Sequence, residues 1–228
     1  MRVNEPVSHR EYEFPDGATL MSTTDTQSYI AYANEAFVEV SGYAREEILG
    51  QPHNLVRHPD MPPAAFADMW ATLKGGQSWT ALVKNRRKNG DHYWVRANAT
   101  PIERDGRVTG YMSVRTKPTR QEVTATEELY RRMREGSAGN VGLHKGIVVR
   151  TGLMGWTSML QVMSVRWRIR LACFMAALLA VGGIFAGGLG GAALGVALAF
   201  VGAGAVLNCL LLEVQIAKPL AVIARESQ

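Results

Sequence analysis

Trp79-Thr-Ala-Leu-Val-Lys-Asn-Arg-Arg-Lys-Asn-Gly-Asp-His-Tyr-Trp-Val-Arg-Ala-Asn-Ala-Thr-Pro101 is the stretch that decides the fold. Asn89-Gly90 is a strong hairpin turn signal, and the residues on either side alternate with the period of two that a half-buried strand requires. In the first strand Trp79, Ala81, Val83 and Asn85 share an uncharged face opposite Thr80, Leu82, Lys84 and Arg86; in the second Tyr93, Val95, Ala97 and Ala99 lie opposite His92, Trp94, Arg96 and Asn98. A strict two-residue turn would pair Lys88 with Asp91 and mix the two classes. Register follows the buried face, so a glycine bulge near Gly90 that brings Asn85 opposite Val95 is expected. The uncharged face then carries small residues, Ala97 and Ala99, between Trp79, Asn85 and Tyr93. Such a face can hold a flat ring; a helix packed into the same space is the alternative.

Outward from this hairpin the pattern is α+β. Leu20 to Thr24 and Tyr29 to Ala33 are short apolar or β-branched runs joined by a turn, hence a first hairpin. Asn34 suits the N-cap of a helix that Ser41-Gly42 ends, and a short helical turn follows over Arg45 to Leu49. Pro62-Pro63 suits a helix start, Asp60 being the candidate cap, and Phe66, Met69, Trp70 and Leu73 recur at helical spacing until Gly75-Gly76. Val108 to Thr116 completes a five-stranded antiparallel sheet. Its inward set is open: Val108, Met112 and Val114 suit a core, whereas Tyr111, Ser113 and Arg115 could offer donors to a ligand. An amphipathic, charged helix is expected over Glu122 to Arg134, and residues 143–170 read as a glycine-bearing basic connection.

The 228 residues carry 25 Lys and Arg against 20 Asp and Glu, a net charge of +5. None of these, and no His, falls within residues 171–212. As a helix rising about 1.5 Å per residue this run would be roughly twice the ~30 Å hydrocarbon thickness, so two spans are expected, about Leu171 to Ala186 and Ala192 to Leu212. A wholly soluble protein is excluded. Gly187, Gly188, Gly190 and Gly191 mark the turn, and the spacing Gly183, Gly187, Gly191, Gly195 permits close helix approach. Arg166, Arg168 and Arg170 precede the first span and Lys218 and Arg225 follow the second, which places both ends in the cytoplasm, while Met1 to Gly17 lacks the apolar core of a signal peptide. Cys173 and Cys209 sit inside the apolar run, where neither a disulfide framework nor a zinc site is plausible. The basic excess beside the apolar run argues for topology rather than nucleic-acid binding.

The strand order resembles that of a PAS sensor domain, and Tyr32-Ala-Asn-Glu-Ala-Phe37 with Ser41-Gly42-Tyr43 resembles that family's second strand and first helix. Gly50-Gln-Pro-His-Asn-Leu-Val-Arg-His-Pro-Asp-Met-Pro62, residues 84–98 and His144-Lys-Gly-Ile-Val-Val-Arg150 are together similar to the redox-sensing aerotaxis receptors of motile bacteria, and Ile216-Ala-Lys-Pro-Leu-Ala-Val-Ile-Ala-Arg225 to the first helix of a HAMP domain. The resemblance implies an N-terminal cap (1–17), a PAS domain (18–118) with helices on one side of its sheet, a linker (119–170), a transmembrane hairpin (171–212) and the start of HAMP (213–228). It further implies non-covalently bound FAD, a homodimeric receptor in the bacterial inner membrane, and control of a histidine kinase through a coupling protein. Here the sequence departs from the pattern: it reaches Gln228 without the rest of HAMP or the methylated coiled coil that would touch the kinase.

FAD needs a flat apolar slot, hydrogen bonds to its pyrimidine edge and cations near its diphosphate. Arg57 and His58 are the candidate cations, a placement the resemblance supplies, and Asp60 is read as positioning their loop. Trp79 is the candidate ring neighbour, with Tyr93 on the same face. Asn85 is a candidate amide partner that could rotate as flavin N5 changes from acceptor to donor; Asn34 is a further candidate that could equally be only a helix cap. Gly50 to Met61 contains no cysteine, so the cysteinyl adduct of flavin photosensors is excluded. Competing readings are a haem sensor with His58 or His53 as axial ligand, a flavoenzyme, for which no nicotinamide fingerprint or acid-base pair is evident, and a cofactor-free interaction module.

Overall fold

The structure, a computed structural model, describes residues 4–158, 162–186, 188 and 191–212. Two units are distinguishable, residues 1–155 and 156–228.

In the first unit, β1 (Leu20–Thr24) and β2 (Ile30–Ala33) form the expected hairpin. Asn34 caps α1 (Glu35–Ser41): its side chain accepts from the Phe37 amide at 3.0 Å, and Gly42 ends the helix at φ 73°. A short α2 (Arg45–Ile48) and a 3₁₀ turn (His53–Val56) lead to α3 (Pro63–Lys74), which opens with Pro at its first position and stops at Gly75. The expected cap is different: Pro62 occupies that position without a side-chain bond, and Asp60 is engaged elsewhere. β3 (Trp79–Arg86), β4 (His92–Arg104) and β5 (Arg107–Thr116) complete an antiparallel sheet in the order β2-β1-β5-β4-β3.

The register of the long hairpin departs from expectation. Asn85 faces Tyr93, and Val95 faces Val83. The Arg87 amide donates to the Asp91 carbonyl at 2.7 Å and the Gly90 amide to the Arg87 carbonyl at 3.0 Å, so Lys88, Asn89 and Gly90 form a three-residue loop with Gly90 at φ 95°. A loop one residue longer than the two-residue turn shifts pairing the other way from the expected bulge yet restores the same parity. Each strand therefore still shows its uncharged set to one side.

Pairing across the sheet explains a hollow at its centre. One row runs Trp79, Ala99, Ser113, Ser22, Ala33, and the next Ala81, Ala97, Arg115, Leu20. Ala99, Ser113 and Ser22 in the first row, with Ala81 and Ala97 in the second, leave space beside Arg115 that helices resting on the flanking large residues do not fill. The inward set of β5 is thus Tyr111, Ser113 and Arg115.

The opposite face is covered by α4 (Arg120–Arg134). Thr119 and Glu122 form a capping box, the Tyr130 hydroxyl donates to the Leu82 carbonyl at 2.8 Å, and the Tyr130 ring stacks on Trp94. The buried Lys84 ammonium reaches Asp60 at 2.8 Å and Glu127 at 3.0 Å, and Arg96 pairs with Glu122. Residues 4–17 strap the β4 end: His92 N–H donates to Arg10 O, Tyr12 N–H to His92 O, and the Arg86 fork donates to the Glu5 and Pro6 carbonyls. Residues 141–150, expected as plain connection, fold into a hairpin of β6 (Val141–His144) and β7 (Ile147–Arg150). The β-branched run Ile147-Val148-Val149 after Lys145-Gly146 was the available signal.

In the second unit α5 (Val165–Ala186) and α6 (Gly191–Leu212) are each long and apolar enough to cross a membrane, and both are largely exposed. Gly188 and Gly191 have φ of 72° and 61°, as a tight turn requires. Gly187, Gly190 and the HAMP-like residues 213–228 lie outside the described residues.

Candidate functional site

The hollow is a cavity of about 280 Å³, walled by the inner sheet face, by α3 and by the 3₁₀ turn. Its walls are mostly apolar: Trp79, Val83, Ala97 and Ala99 from the sheet, Phe66, Met69, Trp70 and Leu73 from α3. The helical spacing read from the sequence is therefore the cavity wall. Trp70 meets Tyr111 edge-on at 5.3 Å between ring centres.

Polar groups converge at one end. Arg115 is 3 % exposed, and its Nη2 donates to His53 Nε2 at 2.7 Å and to Ser22 Oγ at 3.0 Å. Its guanidinium lies 4.8 Å from the Phe37 ring centre, no carboxylate pairs with it among the described residues, and Nη1 has no hydrogen-bond partner. Burial pulls this group down from its usual 12.5 to about 10. His53 stacks on Phe37, and burial followed by repulsion from Arg115 lowers it to about 3. Its Nε2 accepts from Arg115, so the ring is neutral with its proton on Nδ1. Asn85 is buried with Nδ2 unpartnered, and Thr24 Oγ1 is likewise buried and unpartnered. Buried donors without acceptors are costly, and Arg115, Asn85 and Thr24 all border the same cavity.

Of the residues singled out by sequence, Arg57, Trp79 and Asn85 border the cavity. Arg57 is bridged through its backbone to Asn85, and its guanidinium lies 3.9 Å from the Phe66 ring centre with Nη2 donating to the Met61 carbonyl. The Trp79 indole donates to Asp68 at 2.8 Å.

The other four lie outside the lining. Bridged to the β3 edge at Arg57, the extended loop turns its next side chain the opposite way. His58 accordingly packs near His92 and Lys84 around the sheet edge, 5.6 Å from the His92 ring. Burial and the Lys84 charge lower it to about 4. Asp60 donates its amide to His58 Nδ1 and offers its carboxylate to Lys84. Asn34 is fully used within the backbone: it accepts from Met21 and Phe37 amides and donates to the Thr19 carbonyl. Tyr93 is wholly buried beneath Phe14, and burial raises its hydroxyl to about 12. Sequence reasoning had His53 only as a candidate haem ligand and missed Ser22, because nothing in either local pattern foretells that β1, β5 and the 3₁₀ turn meet. Arg115 was legible only as one of two possible faces of β5.

Among the described residues no cluster of His, Cys, Asp and Glu could hold a metal ion.

A flat, small-residue hollow in a β2-β1-β5-β4-β3 sheet roofed by short helices is the arrangement of a PAS domain, and residues 30–115 match the PAS fold family. The chain carries a PAS domain. It is 56% identical over 164 residues, 72% of its own length, to the aerotaxis receptor of Escherichia coli strain K12. It is 34% identical over 82 residues to the nitrogen fixation regulatory protein of Klebsiella oxytoca, across 36% of this chain. These matches span 32% and 17% of the two relatives' lengths. The dark structure of the blue-light photoreceptor Aureochrome1 LOV aligns with 55% of this chain and 98% of its own, at 20% identity and a TM-score of 0.44.

Proposed function

We propose that this chain is the sensory and membrane-anchoring part of an aerotaxis-type chemotaxis receptor, and that its PAS cavity binds the isoalloxazine of FAD as a redox sensor. The observation that carries the reading is the Arg115 guanidinium, without a carboxylate partner among the described residues and with Nη1 lacking an acceptor, bordering a flat apolar cavity beside Asn85, whose Nδ2 likewise lacks an acceptor. A flavin's pyrimidine edge is rich in acceptors and gains negative character on reduction, which a buried cation favours. About 280 Å³ is at the lower end of ligand cavities, ~300–1,000 Å³, which suits a ring system enclosed with the rest of the dinucleotide outside it. Arg57, at the cavity rim, is then the group in reach of the diphosphate, and His58 and Asp60 support its loop from the far side of β3.

When bound, the flavin supplies a reversible two-electron couple that tracks the cell's oxidants. The residues around it do the sensing. Asn85 can present either its carbonyl or its amino group to a neighbour that changes from acceptor to donor, at the strand that bridges to Arg57. Burial, and after it the Arg115 charge, holds His53 neutral, so proton uptake in the cavity does not fall to that ring.

This reading carries further proposals: a homodimer, both termini and the PAS domain on the cytoplasmic side of the inner membrane, a HAMP segment at 213–228, no catalytic step, and output to a histidine kinase through a coupling protein. Arg166, Arg168 and Arg170 at the start of α5 favour that topology. A haem is less suited: His58 is outside the cavity and the His53 Nε2 is taken by Arg115.

The absorption spectrum of the purified full chain tests the reading. Flavin bands, and release of FAD rather than FMN on denaturation, are expected. A Soret band, or a colourless protein from flavin-replete cells, overturns it. Asn85→Ala that retains flavin but leaves redox-dependent protection of residues 119–150 unchanged would remove Asn85 from the switch.

A further inference from the structure

The tip of the β6–β7 hairpin docks on a carboxylate of α3 that also holds a ring of the cavity wall, the Trp79 indole. Asp68, on α3 between the wall residues Phe66 and Met69, accepts three N–H donors: the Trp79 indole at 2.8 Å, the Lys145 amide at 2.8 Å and the Gly146 amide at 2.7 Å. Lys145 and Gly146 are the two central residues of the turn, with φ of 55° and 80°. Lysine adopts that region reluctantly, and the carboxylate facing both N–H groups holds it there. The fit is close: a Cβ on Gly146 would stand 2.0 Å from the Thr80 carbonyl oxygen on β3. An isolated two-stranded hairpin is marginal in water. This one packs Leu143 on the core and buries Val149 but exposes Ile147 and Val148, so the docking of its tip contributes to its order.

We propose that Asp68 is the coupling residue of the sensor: one carboxylate reads the position of the Trp79 wall and holds or releases the 141–150 hairpin, the segment that leads along the chain to α5. The inference rests on the flavin-cavity reading for its input and on the hairpin geometry for its output. A change in the cavity that displaces the Trp79 ring or α3 moves the acceptor to which both hairpin amides are bound. Because the three donors share two oxygens, they cannot adjust independently; weakening one geometry alters the others. Asp68 touches no cavity occupant itself, so it is a positioning residue.

Amide hydrogen exchange on the full chain in lipid nanodiscs tests this, with Asp68→Asn and Gly146→Ala as two independent ways of loosening the tip. In the ligand-free protein both variants are expected to raise exchange of residues 141–150 at least tenfold while β1 and β5 keep their protection. In flavin-loaded protein, the wild type is expected to show a difference in 141–150 exchange between oxidised and dithionite-reduced samples, and Asp68→Asn to lose that difference while retaining its flavin bands. Unchanged hairpin exchange in the ligand-free variants overturns the latch. A redox difference that survives in Asp68→Asn overturns its coupling role. A colourless wild type overturns the flavin reading alone, and the latch then stands or falls on the ligand-free comparison.

Discussion

Replacing Arg115 with methionine separates what this residue does for the fold from what it does for a ligand. In the empty protein burial pulls the guanidinium from 12.5 to about 10, and at about 1.4 kcal/mol per pH unit the buried charge costs about 3 kcal/mol. Against this stand two hydrogen bonds, to His53 and Ser22, worth about 1.5 kcal/mol each at the low end for a charged donor, and the contact with the Phe37 ring, worth about 1 kcal/mol. Methionine keeps an apolar stem of similar length, and Ser22 lies 3.2 Å from His53 Nε2, close enough to donate to it once the arginine is gone. The terms nearly cancel, so ligand-free Arg115→Met should match the wild type within about 1 kcal/mol. Loaded protein should differ: loss of a charge-assisted hydrogen bond of about 1.5–3 kcal/mol lowers flavin affinity roughly ten- to hundredfold. The assay is exchange of the slowest β1 and β5 amides, which report the opening free energy of this unit, together with flavin titration. If the empty variant loses 3 kcal/mol or more, as removal of half of a compensated buried pair would cause, Arg115 is a structural residue and the argument for an anion-seeking cavity fails.

Acidification should weaken the sensor unit through its buried histidines. His53 and His58 are held at about 3 and about 4, below the usual 6.5, so the unfolded chain binds more protons between those values. Their contribution is complete above pH 6.5 and is lost as pH falls toward 4 and then 3, at about 1.4 kcal/mol per pH unit for each ring fully engaged. Urea midpoints of the ligand-free chain measured from pH 7.5 to 5 should decline, with a shallower decline in His53→Phe; a flat profile contradicts the burial of both rings. Gly110→Ala should destabilise by more than about 2 kcal/mol, since its Cβ would lie 2.1 Å from the Thr24 carbonyl oxygen between β1 and β5. Equal exchange of the β1 amides in variant and wild type would refute that close approach. Ala97→Leu should fill the cavity, raising stability of the empty protein by about 0.5–2 kcal/mol and abolishing flavin absorption; a variant that retains stoichiometric flavin shows that the ring does not lie over Ala97.

The sequence by itself determined most of the local structure. Alternation over residues 79–101, the Asn34 cap, the prolines before α3 and the charge-free run 171–212 each express a short-range rule, and each element formed within a few residues of where it was read. It also named Asn85 and Trp79, because a strand's parity tells which side chains share a face before the partner strand is known.

Tertiary structure decided the rest. The hairpin register turned on whether Gly90 closed a loop of two or three residues, a difference of one backbone hydrogen bond that composition does not reveal. Arg57 and His58 are adjacent in sequence yet fall on opposite sides of β3, because a bridge to Asn85 fixes the local backbone as extended. Arg115, His53 and Ser22 come from three distant segments, and the latch joins Asp68 to an amide pair 77 and 78 residues away. Such groupings arise from long-range packing, whose cost is loop-closure entropy and whose reward is a shared buried surface; neither leaves a mark in the spacing of neighbouring residues.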